Sequence, residues 1–155
     1  MILLIGGAYQ GKLDYARECW HLTEDDIFTC HTSETATASE PTAATDTAAA
    51  HMDFPDLHKN HIDFTKRCIN QIEEFTLSCV RSHVDSVEYF RSHRQEWADS
   101  ILICQDIFCG VVPLGAEMRA WRNETGRLCQ YLSKEAAQVS RIFCGLEQRL
   151  KCPSI

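Results

Sequence analysis

Long apolar runs are missing from this sequence. The longest, Met1 to Ile5, falls far short of the roughly 20 residues that a membrane-spanning helix needs. It also has neither the basic start nor the extended apolar stretch of a signal peptide, so no membrane span is expected and a cytoplasmic location is. Basic residues are scarce: Lys and Arg number 15 against 22 Asp and Glu, for a formal charge of −7. Such a field repels polyanions, and a nucleic-acid partner is not expected. No Cys-x-x-Cys pair occurs. The nine cysteines are odd in number and scattered, which argues against a disulfide framework and reads mainly as buried thiols. Cys104 and Cys109 have no histidine close by in sequence, so a zinc site is not expected either. Internal repeats are absent too, as is the low-hydrophobicity, high-charge signature of disorder: the chain is 45% hydrophobic and 24% charged. At 155 residues it fits one domain, 1–155, and leaves little room for a two-domain enzyme.

What is present alternates between strand and helix signals. Met1 to Ile5 reads as a strand buried on both faces of a parallel sheet, ended by Gly6-Gly7. A helix is predicted from Lys12 to about Trp20, then a turn over Thr23 to Asp26 and a short strand at Ile27-Phe28. From His31 to His51, extended to about residue 52, the chain is rich in Thr, Ala and Ser with no large apolar side chain. It has little to bury against its ordering entropy and is expected to be a flexible loop. Ile62, Ile69, Ile72 and Phe75 recur at roughly helical spacing, predicting one amphipathic stretch opened by Pro55-Asp56 and ending near Val80. Further helices are predicted from Val84 to about Trp97 and, after Pro113, to about Ala137. Ile101 to Cys104 and Val139 to Phe143 are strand candidates, with a short tail after Gly145. This order predicts an α/β fold with a mostly parallel sheet flanked by helices.

Gly6-Gly7-Ala8-Tyr9-Gln10-Gly11-Lys12 fits G-x-x-x-x-G-K between a buried strand and a helix. Glycines let successive backbone N–H groups and the helix N-terminus converge on one concavity, and the lysine adds charge for outer phosphates. The alternative is a plain glycine turn. A phosphate loop normally continues with Ser or Thr, whose hydroxyl holds Mg²⁺, but Leu13 stands there. Metal is then held by other carboxylates, or nucleotide binds without efficient phosphoryl transfer, or the site is vestigial.

Asp106 follows the strand ending at Cys104. In a parallel sheet it lies on the same edge as the glycine turn, where it would hold Mg²⁺, accept a hydroxyl proton, or simply cap a turn. Arg119 and Arg122 are neighbours on one helix face, with Gly126 and Arg127 further on: a phosphate clamp or a solvated face. His51, His58 and His61 are either nucleophile or acid–base candidates or plain surface histidines.

GGAYQGK, together with QDIFCGVVPLGAEMRAWRNETGRLCQYL and VSRIFCGLEQRLK, resembles the cobinamide kinase / cobinamide-phosphate guanylyltransferase family of cobalamin biosynthesis, particularly its short members. That family's second block typically reads N/D-E-x-G-x-G-V-V-P followed by R-x-x-R-x-x-x-G-R. Gly110, Val111, Val112, Pro113, Arg119, Arg122, Gly126 and Arg127 fall on those positions without a gap. The likeness covers about the first 28 and the last 55 residues. It implies a phosphate-loop fold that uses ATP or GTP with Mg²⁺ to phosphorylate the aminopropanol hydroxyl of adenosylcobinamide. GMP transfer to the phosphate, through a guanylylated histidine, would follow, in an enzyme that is an oligomer. By position, Gly6, Gly7, Ala8, Tyr9, Gln10, Gly11, Lys12 and Leu13 would meet the nucleotide, Lys12 and Asp106 being catalytic. Gly110, Val112, Pro113, Arg119, Arg122 and Arg127 would meet substrate or phosphate. The guanylylated histidine would be His61, His58 or His51, and no motif chooses among them.

Three positions depart from the family. Leu13 replaces the hydroxyl residue, Gln105-Asp106 replaces Asn/Asp-Glu, and Phe108 replaces a glycine. Asp is one methylene shorter than Glu, enough to disturb a catalytic geometry, and a ring at 108 fills space that glycine leaves open. These departures raise a second reading, a degenerate paralogue that binds nucleotide or corrinoid in a regulatory or partner role. A third is an interaction protein using the acidic Thr/Ala-rich segment as its contact.

Overall fold

The computed structural model describes residues 1–31 and 61–152. The chain runs β1 (Ile2–Gly6), α1 (Lys12–Trp20), a 3₁₀ turn (Glu24–Asp26), β2 (Ile27–Thr29), β3 (Cys68–Asn70), α2 (Ile72–Arg81), α3 (Ser86–Ser92), β4 (Ile101–Gln105), α4 (Ala116–Glu135), β5 (Gln138–Phe143) and β6 (Leu146–Lys151). One six-stranded sheet has the order β2-β3-β4-β1-β5-β6. All neighbours pair in parallel except β5 and β6, which are antiparallel. The expected α/β architecture, a mostly parallel sheet flanked by helices, is the one found.

β1 is central, with Leu3 opposite Leu102 of β4 and Val139 of β5. That position explains its unbroken apolar run, since successive side chains enter opposite layers. Leu4 packs with Ala16 of α1, Ile103 and Ile142. Leu3 packs on the other face with Phe75 of α2, Phe90 of α3 and Leu128 of α4. α1 therefore covers one face and α2, α3 and α4 the other. Because the five parallel strands point the same way, their carboxyl ends share one edge, where α1 and α2 begin. In open α/β sheets this edge is where ligands bind.

Three expectations are corrected. The single amphipathic stretch ending near Val80 is not one helix: residues before 61 lie outside the described region, Cys68–Asn70 is strand β3, and α2 begins only at Ile72. Gln71 between them is left-handed, with φ 57°, which breaks any continuous helix. Ile62, Ile69, Ile72 and Phe75 are all buried, but from a loop, a strand and a helix. The helix predicted from Val84 to Trp97 is cut to Ser86–Ser92. Beyond it the chain turns so that buried Trp97 donates its indole N–H to the Phe90 carbonyl at 2.7 Å. The tail after Gly145 is an edge strand, β6, paired with β5. The Thr/Ala-rich segment lies outside the described residues, save His31.

The nine thiols divide: Cys30, Cys68, Cys79, Cys104 and Cys129 are buried, while Cys19, Cys109, Cys144 and Cys152 are exposed. None is in a disulfide. Burial pushes the Cys68 and Cys79 thiols up to about 12, as expected of inert core residues.

Candidate functional site

The turn from Gly6 to Lys12 joins the carboxyl end of β1 to the first residue of α1. Tyr9 (φ 58°) and Gly11 (φ 76°) both take left-handed backbone, which closes the turn tightly; at Gly11 the lack of a Cβ makes this free of strain. The turn is tied from behind by the β5–β6 connection. The Gln10 carbonyl accepts the Gly145 N–H at 3.0 Å, and its side-chain Oε1 accepts the Cys144 N–H at 2.7 Å. Tyr9 is fully exposed at the tip.

Lys12 Nζ reaches back to donate to the Gly7 carbonyl at 2.6 Å. Burial holds its proton affinity below the ordinary lysine value, and the negative charges of Glu73 and Asp106 partly restore it. A cavity of about 450 Å³ opens beside it, walled by the turn, by Asn70 and Gln71 at the end of β3, by Glu73 of α2, and by Gln105. Leu13 also reaches this wall, but its side chain packs with the Leu4 and Ala16 cluster under α1. The position that would carry a metal-binding hydroxyl therefore serves the apolar core.

Glu73 was not singled out by the sequence. It is 5% exposed, and its Oε2 accepts the Gln105 N–H at 2.8 Å. Burial raises its affinity for a proton, against the lowering effects of that bond and of Lys12. In sequence it is one of two adjacent acids, Glu73 and Glu74, in a helix's first turn, a common solvated arrangement. Only the tertiary fold separates the two.

Asp106 follows β4 directly. Its N–H donates to the Gly6 carbonyl at 3.1 Å, its carbonyl accepts the Cys109 N–H at 3.1 Å, and its Oδ2 lies 3.8 Å from Arg141. A Cβ at Gly7 would sit 3.7 Å from its Oδ1, so the carboxylate lies against the glycine turn. Gly6 to Lys12, Leu13 and Asp106 are thus brought to one sheet edge.

The residues of the second block gather elsewhere, Gly110 to Pro113 on the loop that leads into α4 and Arg119, Arg122, Gly126 and Arg127 on α4 itself. Arg122 donates to the carbonyls of Phe108 (2.9 Å), Gly110 (3.2 Å) and Val111. Arg119 donates to those of Pro113 (3.2 Å) and Leu114. Val111, Val112 and Leu114 are exposed along this loop. Arg127 pairs with Glu124 at 2.8 Å and Asp85 at 3.1 Å. Helical spacing does put Arg119 and Arg122 side by side, but here they grip backbone carbonyls. Phe108 lies against Gly126, where a Cβ would come within 3.8 Å of its Cβ and 4.0 Å of its ring Cγ. Removing Arg122 frees three carbonyls, so Arg122→Ala is expected to cost about 1 kcal/mol and to speed proteolytic cutting between Phe108 and Leu114. Urea denaturation and timed digestion check both.

His51 and His58 lie outside the described residues. His61 is exposed and contacts the Tyr89 hydroxyl through Nδ1 at 3.3 Å. It lines cavities with Phe28 and His31 and with His83 and His93, not the one beside Lys12.

Among the described residues no group of three or more His, Cys, Asp or Glu side chains is placed to hold a metal. Nor is any helix there long and apolar enough to cross a membrane. No family model matches the chain, and no curated protein matches it.

Proposed function

We propose that this chain is a phosphate-loop nucleotide-binding protein of the cytoplasm, acting as a cobinamide kinase, a cobinamide-phosphate guanylyltransferase, or both. The observation that carries the reading is Lys12, at the start of α1, standing with the glycine turn on a cavity that the buried Glu73 also lines. A helix N-terminus, converging backbone N–H groups and a lysine suit nucleotide phosphates. The corrinoid substrate, adenosylcobinamide or its phosphate, and an oligomeric state come from the family resemblance alone.

Mg²⁺ is commonly held by one or two protein carboxylates together with substrate phosphates. Sequence position assigns it to Asp106, which lies against the glycine turn but does not line the cavity and has Arg141 at 3.8 Å, and Leu13 contributes no oxygen. When bound, the ion would neutralise charge on the phosphates. The residues left to position the nucleotide are Lys12 and the turn's own N–H groups, with the terminal phosphoryl held for in-line attack by the substrate hydroxyl.

Calorimetric titration with GTP and ATP, with and without Mg²⁺, followed by adenosylcobinamide and mass analysis of the products, tests this. Binding with a phosphorylated or guanylylated corrinoid is expected, at a turnover of about 1 per second or more. Absence of nucleotide binding overturns the reading.

The core-facing Leu13 favours a second reading, a degenerate paralogue that binds without turnover. Under it, Leu13→Thr combined with Asp106→Glu would raise activity at least tenfold from a negligible base. Under the first reading, Leu13→Thr alone is expected to leave the Mg²⁺-dependent part of nucleotide binding within about threefold of the native chain, because the side chain at 13 packs with the Leu4 and Ala16 cluster. The same calorimetry measures it.

A further inference from the structure

We infer that Glu73 is the proton acceptor for the hydroxyl that attacks the nucleotide's terminal phosphate. This rests on the nucleotide-dependent transferase reading above and names a catalytic residue for it.

Two acids with buried side chains stand out among the described residues, Glu73 and Glu124. Glu124 is fully engaged in structure: it accepts the Ser86 N–H at 3.0 Å and hydroxyl at 2.6 Å, and pairs with Arg127. Glu73 instead lines the cavity that Lys12 lines. Asp106 does not line that cavity and has Arg141 as its neighbour.

Glu73 is also held still. The Gln105 N–H fixes its carboxylate, while its backbone carbonyl accepts from the Trp121 indole at 2.6 Å and the Thr76 hydroxyl at 2.7 Å. Thr76 in turn meets Thr125 of α4 at 2.6 Å. Two neighbouring elements, β4 and α4, thus lock a residue of α2, and a catalytic base needs that preorganisation. A carboxylate whose only duty was to accept one backbone N–H would not need burial beside a nucleotide cavity, where desolvation opposes its charge. Burial instead makes it a stronger base than an exposed glutamate, with Lys12 tempering and Glu74 reinforcing the effect.

The step balances. The acceptor hydroxyl oxygen forms a bond to the γ-phosphorus, and the bond from that phosphorus to the β,γ-bridging oxygen breaks. Nucleoside diphosphate leaves with the electron pair, and the hydroxyl proton passes to the Glu73 carboxylate.

The test uses the full chain and Glu73→Gln, which keeps the shape and an oxygen for the Gln105 N–H. GTP or ATP affinity is read by calorimetry, and kcat and KM by phosphorylation of adenosylcobinamide. Loss of a general base lowers kcat by about 100-fold or more, with nucleotide affinity unchanged and the thermal midpoint unchanged or raised; that result supports the inference. A Glu73→Gln variant with kcat within threefold of the native chain overturns it. So does one that loses nucleotide affinity or folding stability along with kcat, which would mark a structural role. The two readings fail separately. A native chain that turns over while Glu73→Gln matches it defeats only the role of Glu73, whereas a native chain that binds nucleotide without turnover defeats both the role and the transferase.

Discussion

Lys12→Ala is expected to weaken GTP or ATP binding about 100-fold while leaving the fold intact. A hydrogen bond to a charged phosphate oxygen contributes about 1.5–3 kcal/mol, and the upper figure corresponds to roughly two orders of magnitude in affinity. The upper figure applies because the carboxylates of Glu73 and Asp106 are both close enough to act on the lysine's charge. Without it, the site presents negative charge to an anionic ligand. Stability moves little. The variant loses one bond, to the Gly7 carbonyl, and is relieved of a partly desolvated ammonium. The sign of that relief follows from linkage: Lys12 holds its proton less tightly folded than unfolded. Its cost to folding is therefore fully present below the lowered folded value, falls as pH rises through that value, and is gone above the ordinary lysine value of 10.5. Calorimetry and thermal unfolding measure the two effects separately. Unchanged nucleotide affinity would show that the glycine turn is not a phosphate site.

The glycine turn could be read from sequence because everything it needs is local: an apolar strand, glycines at the right interval and a lysine opening a helix. β1, α1, β4 and β5 were legible for the same reason, each carrying its own apolar run or helical period. β3 was not, because Cys68, Ile69 and Asn70 make a strand too short to establish a period of two, and Ile69 falls in helical register with Ile62, Ile72 and Phe75. β6 was hidden differently. As an edge strand it exposes Leu146 and Leu150 and intersperses them with Glu147, Gln148, Arg149 and Lys151, so no buried face marks it. It is defined by its pairing with β5.

The same distinction divides the candidate site. Asp106 was legible because the end of a parallel strand places it at a known edge. Glu73 reaches that edge through a helix whose packing is set by Thr76 against Thr125 and Trp121 against the Glu73 carbonyl, contacts between segments far apart in the chain. The arginines of α4 illustrate the converse. Their common face was legible at three-residue spacing, but their partners, carbonyls of an irregular loop, leave no residue-type signal. Nothing about Phe108 or Gly110 announces that its oxygen will be bound.

Gly6→Ala is expected to cost about 3 kcal/mol or more and to remove nucleotide binding with it. A Cβ at Gly6 would lie 2.3 Å from the Ile142 carbonyl oxygen of β5, far inside contact distance. The obstacle is backbone in a paired strand, so no side-chain rotation relieves it. β1 cannot step away, because its other edge is paired with β4, where Gly6 lies opposite Gln105 and its carbonyl accepts the Asp106 N–H. Overpacking of a well-packed interior typically costs 1–3 kcal/mol, occasionally more, and a clash with fixed backbone belongs at the upper end. The shift that does occur must separate β1 from β5 at the point where the Cys144–Gly145 turn supports Gln10, so the phosphate contacts are displaced together with the strand. Gly7→Ala is the control. Its added Cβ meets Gln10 Cγ at 3.5 Å and Asp106 Oδ1 at 3.7 Å, ordinary contact distances, and stability is expected to stay within about 1 kcal/mol of the native chain. Urea denaturation of the two variants side by side distinguishes a steric requirement at one glycine from a general need for glycine in the turn. Equal stability of Gly6→Ala and Gly7→Ala would mean that β5 can yield at Ile142 and that the turn is not braced from that side.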